Sequence, residues 1–195
     1  PSMDKVRTDI GASKIIAGEG LESPYTGKGV IVGVIDAGFD FTHPAFSGRC
    51  KKYGAYATKG TLTDKAPNKD PNDEVGHATH VTNIAAGSPV EGSNYYGIAT
   101  GAEILPMMSN LDESSVMLQA SAIKEYAESQ GKPWVLNMSF GAILGPHDGS
   151  TALDQHLESL AGKGAILVGA MGNNGGDKAH FTYTFQQNEE AIYFT

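Results

Sequence analysis

The sequence predicts an α/β fold of three layers, in which a parallel sheet is covered by helices on both faces. Short apolar runs alternate along the chain with longer segments of helical period, as in successive strand–helix units. In addition, Gly29–Ile35 is a continuous apolar run, which is typical of a parallel strand that is buried on both sides. Together these observations favour a single sheet with a covered core.

The elements follow one another in regular order. Strands are predicted at Gly29–Ile35, Ala102–Met108, Trp134–Met138 and Ala165–Ala170, and helices at His77–Ala86, Ser114–Ser129 and Thr151–Ala161. Gly131 and Pro133 end the second of these helices before the next strand begins. Asp4–Ala17 has a weak helical period, and Thr58–Asp73, rich in Lys, Asp, Pro and Asn, indicates a surface loop.

Composition and charge argue against several classes of protein. The 195 residues suffice for one domain with a sizeable core, and 40% of them are hydrophobic. The net charge is −8, from 14 basic and 22 acidic residues, and no run of Lys and Arg is longer than two, so no nucleic-acid partner is predicted. No apolar run reaches the roughly 18 residues of a membrane span. Cys50 is the only cysteine, which excludes an intramolecular disulfide.

The first segment of chemical interest follows the first predicted strand. In Val34-Ile35-Asp36-Ala37-Gly38, a carboxylate stands at the carboxyl end of the strand, where open α/β sheets bind their ligands. An aspartate after a strand also commonly caps the next turn. From this segment alone, a functional carboxylate and a turn cap are equally good interpretations.

The second segment begins a helix of small residues. Gly76-His77-Ala78-Thr79-His80-Val81 puts His77 at the start of the helix and Val81 on its buried side. Two histidines at i and i+3 could suggest a metal site, but the zinc pattern H-E-x-x-H needs i and i+4 with a glutamate between them. His80 is therefore interpreted as a packed, hydrogen-bonded helix residue, and no metal ligands are predicted.

The third segment ends the last predicted strand. Val168-Gly169-Ala170-Met171-Gly172-Asn173-Asn174-Gly175 places an amide side chain among glycines, and such an amide, held at a strand end, can donate a hydrogen bond to an oxyanion. Asn before Gly is equally a turn signal. This segment alone leaves both interpretations open.

Taken together, the three segments resemble the subtilase family, in which Asp, His, an oxyanion Asn and Ser occur in this order along the chain. Val34–Pro44 matches V-I-D-[ST]-G-x-D-x-x-H-P except at Ala37, and Gly76–Val81 matches G-H-G-T-H-V except at Ala78. Gly172–Gly175 resembles the family's G-N-x-G segment, and Asn137–Gly141 resembles its substrate-binding strand. The resemblance runs from about Gly29 to Gly176.

The resemblance implies a serine endopeptidase with a subtilisin-like fold. His77 would be the general base and then the general acid, Asp36 would orient its ring, and Asn173 would stabilise the oxyanion. A peptide or protein substrate would add as an extended strand. The implied substrate-binding residues are Ser139, Phe140 and Gly141 on one flank, Ser114 on the other, and Ala170 and Gly172 in the primary specificity pocket.

The chain departs from the family pattern in three places. Ala37 replaces a Ser or Thr whose hydroxyl could bond near the aspartate, and Ala78 adds a methyl group where the family has Gly, which could move the histidine. The nucleophile segment G-T-S-[MA] is absent, and neither Ser139 nor Ser150 fits it. The chain is therefore expected to be truncated before its nucleophile and inactive alone.

The end of the chain differs in character from the rest. Phe181–Phe185 alternates like a strand, and Ala191–Thr195 begins another such run. We predict a partial peptidase domain over 1–176 and the start of a β-rich inserted segment over 177–195. Truncation within one α/β core would expose apolar surface, so self-association of the chain is expected.

The resemblance also bears on cofactors and location. Many subtilases bind calcium, which leaves a calcium ion open here, although Gly87–Gly97 does not closely match the family's main calcium loop. Family members are usually extracellular or in the cell envelope, and the same location is expected for this protein.

Two other classes of protein remain as alternatives to a peptidase. A subtilase-like peptide-binding module without its serine would be distinguished by the sequence downstream of this chain. A nucleotide-binding α/β protein is disfavoured, because Gly27-Lys28-Gly29 precedes its strand instead of following it and no Walker pattern is present.

Overall fold

In the computed structural model, the described residues are 3–54, 61–64, 76–142, 145–177, 183–188 and 191. Within them, six strands form one sheet in the order β3-β2-β4-β1-β5-β6. The strands are β1 Ile31–Asp36, β2 Tyr53–Gly54, β3 Leu62–Thr63, β4 Glu103–Met108, β5 Trp134–Met138 and β6 Ala165–Gly169. Neighbouring strands are parallel except at one edge, where β3 pairs antiparallel with β2.

Helices cover both faces of this sheet. The described helices are α1 Met3–Asp9, α2 Ala12–Ala17, α3 His77–Ala86, α4 Glu113–Ser129 and α5 Ala152–Leu160. Alternate residues of β1 divide between two cores: Ile31 and Ile35 pack in the cluster that contains α4, whereas Val32 and Val34 pack in the cluster that contains α3. The predicted three-layer α/β fold is confirmed.

A glycine in β1 sets how closely one of these layers approaches the sheet. A Cβ atom at Gly33 would lie 2.8 Å from both Cδ1 and Cγ2 of Ile123 on α4. Because Gly33 has no side chain, Ile123 fills that space itself and is completely buried. A larger residue at position 33 would push α4 away from the strand.

Most predicted elements agree with the structure to within one or two residues. Strands β2 and β3 were not predicted. They have only two residues each and make the sheet mixed at one edge, and β3 lies within the predicted surface loop Thr58–Asp73. The predicted strand Phe181–Phe185 lies partly outside the described residues, and residues 183–188 contain no strand. Ala191–Thr195 lies almost wholly outside them, so the β-rich segment and the boundary at 176 stay predictions.

The last strand, β6, is an edge strand within the described residues. Ile166 and Val168 are aligned with Val135 and Asn137 of β5 and are 58% and 47% exposed. This is the kind of apolar surface on which the expected self-association would depend, and that expectation stays a prediction.

A nearly buried carboxylate at the start of β4 is expected to make the fold sensitive to acid. Burial raises the pKa of Glu103, but hydrogen bonds from Lys132 Nζ at 2.7 Å and Tyr126 Oη at 2.6 Å outweigh it, so the pKa lies below its usual range. Because its pKa is lower in the folded state, ionised Glu103 stabilises the fold at pH values above its unfolded-state pKa of about 4.3. This stabilisation is lost as the pH falls through the folded-state pKa.

We therefore expect Glu103→Gln to lower the midpoint of thermal unfolding at pH 7 and to reduce the further loss of stability below about pH 4.3. Thermal unfolding measured across this pH range checks the result, with the exposed Glu125→Gln on α4 as control. An unchanged acid dependence in Glu103→Gln would show that other groups cause it.

Candidate active site

The carboxylate predicted to be functional is held rigidly at the end of β1. Asp36 is the last residue of the strand, and its side chain is only 4% exposed. Its main-chain carbonyl accepts a hydrogen bond from the N–H of Ser109 at 2.9 Å, just beyond β4. Its Oδ1 accepts another from the N–H of Ala37 at 2.7 Å. The main chain of Asp36 is therefore joined to the segment after β4, and its carboxylate is held by the N–H of the next residue.

The first turn of α3 is capped by the residues that follow β1. Gly76 precedes the helix with a φ of 63°, a left-handed conformation that favours glycine. The N–H groups of Ala78 and Thr79 donate to the carbonyls of Ala37 and Gly38 at 3.2 and 3.4 Å. Such N–H groups have no partner within a helix, so these bonds join the helix start to the end of the strand.

The side chains of Ala78 and Thr79 strengthen this junction. The Thr79 hydroxyl donates to the carbonyl of Gly38 at 3.2 Å and accepts from the N–H of Asp40 at 2.7 Å. Ala78 is completely buried and packs in the same cluster as Phe39. The methyl group that we expected could disturb the helix start is thus accommodated in the core.

This junction brings the predicted histidine against the predicted aspartate. Nδ1 of His77, the first residue of α3, lies 3.0 Å from Oδ1 and 3.0 Å from Oδ2 of Asp36. With the proton on Nδ1, the ring donates to the carboxylate and leaves Nε2 as an acceptor. The ring is 51% exposed, in contrast to the buried carboxylate. This is the geometry of a base whose tautomer is selected by an acidic partner.

The carboxylate is not fully saturated with hydrogen bonds. Oδ2 of Asp36 is buried and, although it lies 3.0 Å from Nδ1 of His77, it makes no well-directed hydrogen bond with the described residues. The next residue, Ala37, has only a methyl group, so it offers no side-chain hydroxyl to the carboxylate. The imidazole of His77 is therefore the main side-chain partner of the carboxylate.

His77 borders a cleft of about 690 Å³ at the carboxyl ends of the strands. The other lining residues are Val81 of α3, residues 139–142 after β5 and residues 170–175 after β6. The structure thus brings together His77, Asn173 and five of the six predicted substrate-binding residues: Ser139, Phe140, Gly141, Ala170 and Gly172.

The two loops that line the cleft differ in how their polar side chains are engaged. The Ser139 hydroxyl accepts a hydrogen bond from Nδ2 of Asn137 at 2.9 Å. The Asn174 amide donates to Oδ2 of Asp177 at 2.6 Å. The adjacent Asn173 is exposed, and its amide makes no hydrogen bond with the described residues. Of these two neighbouring asparagines, Asn173 is the one whose amide is available to a ligand.

Ser114 is the predicted substrate-binding residue that does not line this cleft. It lies in the first turn of α4, and its hydroxyl donates to Oδ1 of Asp112 at 2.5 Å. Ser114 lines a separate cavity of about 360 Å³, which His156 also lines. Its neighbour Glu113 instead borders a cavity next to the cleft. A contact between Ser114 and substrate stays a prediction.

Sequence reasoning did not identify this neighbouring cavity, which has a volume of about 310 Å³ and is mostly apolar. Its walls include Leu111, Leu153 and Leu157, and it shares Phe140 and Gly141 with the cleft. The signal in the sequence was the i, i+4 spacing of Leu153 and Leu157, but the same spacing is typical of ordinary core residues.

Two further findings concern metals and membranes. No group of three or more His, Cys, Asp or Glu among the described residues could hold a metal ion. His80 is exposed on α3, so its interpretation as a packed residue was wrong. None of the described helices is both long enough and apolar enough to cross a membrane.

A three-layer α/β fold that holds a buried carboxylate against a half-exposed imidazole at the strand ends has an arrangement that can carry out acid–base chemistry. Comparison with known proteins then identifies the family. The chain belongs to the subtilase family, whose model matches residues 27–193.

Curated relatives are similar over most of this chain. It is 30% identical over 186 residues to the Minor extracellular protease Vpr of Bacillus subtilis. The matched region covers 90% of this chain and 21% of that protein. It is 33% identical over 154 residues to Subtilisin-like protease 3 of Pseudogymnoascus destructans, covering 75% of this chain and 33% of that protein. The chain therefore spans only 21% and 33% of the lengths of these relatives.

Solved structures show the same fold at lower identity. The CspB protease of Clostridium perfringens has a TM-score of 0.71 at 23% identity, over 86% of this chain and 40% of that chain. Sphericase has a TM-score of 0.60 at 20% identity, over 85% of this chain and 53% of that chain. At such identities the likeness shows the fold alone.

Proposed function

We propose that the protein containing this chain is a serine endopeptidase, in which His77 is the general base, Asp36 orients it and Asn173 donates to the oxyanion. The observation that carries the proposal is the 3.0 Å separation between the Asp36 carboxylate and Nδ1 of His77, at the edge of a cleft. Membership of the subtilase family supports the same assignment.

In the proposed reaction, Nε2 of His77 accepts the proton of a serine hydroxyl as its oxygen attacks the peptide carbonyl. The resulting imidazolium is stabilised by the buried charge of Asp36 and then gives its proton to the leaving amine. No serine of this chain lies in a G-T-S-[MA] segment. We place the nucleophile in a segment outside these 195 residues, which makes the chain inactive alone.

The loops after β5 and β6 provide the proposed substrate site. The N–H of Ala170 donates to the carbonyl of Met138 at 3.0 Å, which continues the strand pairing into the cleft. An extended peptide would pair with the main chain of Ser139–Gly141, while Ala170 and Gly172 would border the side chain next to the cleaved bond. The amide of Asn173 would then donate to the carbonyl oxygen as it becomes an oxyanion.

The remaining assignments rest on the relatives. One similar protein is named an extracellular protease, and we propose an extracellular or cell-envelope location for this protein too. The substrates of the protein that contains this chain would be peptides or proteins. We also retain a partial peptidase domain over 1–176, with a β-rich insertion starting at 177, as a proposal.

An active-site-directed fluorophosphonate tests the proposal, because it reacts only with a serine that is activated by a base. We expect the intact protein to be labelled at one serine beyond residue 195, and the chain 1–195 to remain unlabelled. Heat-denatured intact protein is the control and should not react.

The two contradictory outcomes of this experiment are distinct. Covalent labelling at a serine within 1–195 would show that the nucleophile has been assigned wrongly. An intact protein that binds peptides, but neither reacts with the probe nor cleaves them, would be a peptide-binding module that has kept the fold without the chemistry.

A further inference from the structure

A buried arginine connects the N-terminal helix to a loop that is distant in the sequence. Arg7 of α1 is only 4% exposed. Its Nη1 donates to the carbonyl of Tyr96 at 2.6 Å and its Nη2 donates to the carbonyl of Asn94 at 2.9 Å. Its guanidinium also lies 3.4 Å from the centre of the Tyr96 ring. We call residues 88–96 the 88–96 loop. This loop thus directs two carbonyl oxygens and an aromatic face at the guanidinium of Arg7.

The same loop does not fit a calcium ion. Calcium takes six to eight oxygen ligands, usually including several carboxylates. The only acidic residue of the 88–96 loop is Glu91, which is exposed. The carbonyls of Asn94 and Tyr96 are already bound to the guanidinium of Arg7. A metal ion at these oxygens would have to displace a buried positive charge.

The base of the 88–96 loop is fastened to the carboxyl end of α3. The N–H of Gly97 donates to the carbonyl of Gly87 at 2.9 Å, and those of Ile98 and Ala99 donate to the carbonyls of Ile84 and Ala85 at 3.2 and 2.9 Å. This packing is main chain against main chain, because a Cβ atom at Gly97 would lie 2.3 Å from the carbonyl oxygen of Asn83. The segment that directly follows the loop is therefore fixed to the end of α3.

We propose that the guanidinium of Arg7 is the structural cation of the 88–96 loop, in place of a metal ion, and that α1 thereby holds the carboxyl end of α3. Because α3 begins at His77, this contact links the N-terminal helix to the helix that carries the proposed base. The proposal concerns the packing of the loop and does not depend on peptidase activity.

Hydrogen exchange measured by mass spectrometry on the intact protein tests both parts of the proposal. In the wild type, we expect the amides of Gly97, Ile98 and Ala99 to exchange at the same rate in EDTA and in millimolar calcium chloride. In Arg7→Met, which keeps an apolar stem without the charge, the same amides should exchange at least about tenfold faster, because two charged hydrogen bonds are lost. Lys5→Met, on the exposed side of α1, is the matched control and should leave the rates unchanged.

Either of two results would overturn the proposal. Faster exchange of these amides in wild-type protein on adding EDTA would mean that a metal ion holds the loop. Unchanged exchange in Arg7→Met would mean that the guanidinium does not. The EDTA comparison needs no variant, so it decides the first point even if Arg7→Met fails to fold. Arg7→Gln, which also removes the charge, then replaces Arg7→Met in the second comparison, with the same expected increase in exchange.

Discussion

Replacing His77 by Ala should lower kcat for peptide hydrolysis by the intact protein on the order of 10⁶-fold, with little change in KM. This magnitude is the loss found for the corresponding histidine of subtilisin, itself a subtilase, and the same role predicts a similar loss here. Within the described part of the chain, His77 is the side-chain base that contacts Asp36, so without its imidazole the proton of the nucleophile loses its proposed acceptor. Steady-state kinetics with a peptide substrate measure the effect.

The matched control for this substitution is His80→Ala. His80 lies three residues along the same helix and is exposed, so its removal should leave kcat unchanged. A comparable loss in both variants would point to damage to α3 rather than to loss of a base. Retention of most activity in His77→Ala would contradict the proposed mechanism.

The aspartate is expected to act only through the histidine. Asp36→Asn alone should lower kcat on the order of 10⁴-fold. The Asp36 carboxylate lies 3.0 Å from Nδ1 of His77 and favours the tautomer with the proton on Nδ1, whereas an amide at this position favours the wrong tautomer. Combined with His77→Ala, it should add almost nothing, since the two side chains work as one unit. Additive losses in the double variant would show that Asp36 has a separate role.

Replacing Asn173 by Ala should lower kcat by roughly 10²- to 10³-fold while KM changes little, since the amide is proposed to bond the oxyanion more strongly than the substrate carbonyl. The adjacent Asn174 provides the control. Its amide is already bonded to Asp177, so Asn174→Ala should have a much smaller effect on kcat.

The balance between kcat and KM decides the role of Asn173. An increase in KM at constant kcat would show that its amide binds the ground state, as a turn or substrate contact would. Equal effects of Asn173→Ala and Asn174→Ala would indicate that the 172–175 turn is needed as a whole and that neither amide is specific.

Local patterns were sufficient to predict most of the sheet. Strands β1, β4, β5 and β6 were recognised because continuous apolar runs are typical of parallel strands covered on both faces. The two-residue strands β2 and β3 were not, since two residues carry no measurable periodicity. Their pairing depends on β4 being available beside them, which is a property of the assembled sheet.

The candidate site was predictable only in part, because some of its contacts depend on how distant segments pack together. Asp36, His77 and Asn173 were recognised from short segments of specific composition. The placement of Ser114 could not be settled in this way, because its hydroxyl is engaged by Asp112 within the first turn of α4. The apolar cavity at Leu111 and Leu153 was missed, because residues that line a cavity and residues that fill a core share one pattern.

The sequence by itself determined the class of fold and the residue types available for chemistry, because turn glycines, strand ends and helix starts are set by near neighbours in the chain. Only the tertiary structure decided that Asp36 and His77 meet at 3.0 Å and that Arg7 is buried against carbonyls 87 and 89 residues away. These contacts depend on which strands lie side by side and on how loops pack over helix ends. Such non-local pairing leaves no periodic signal in the sequence.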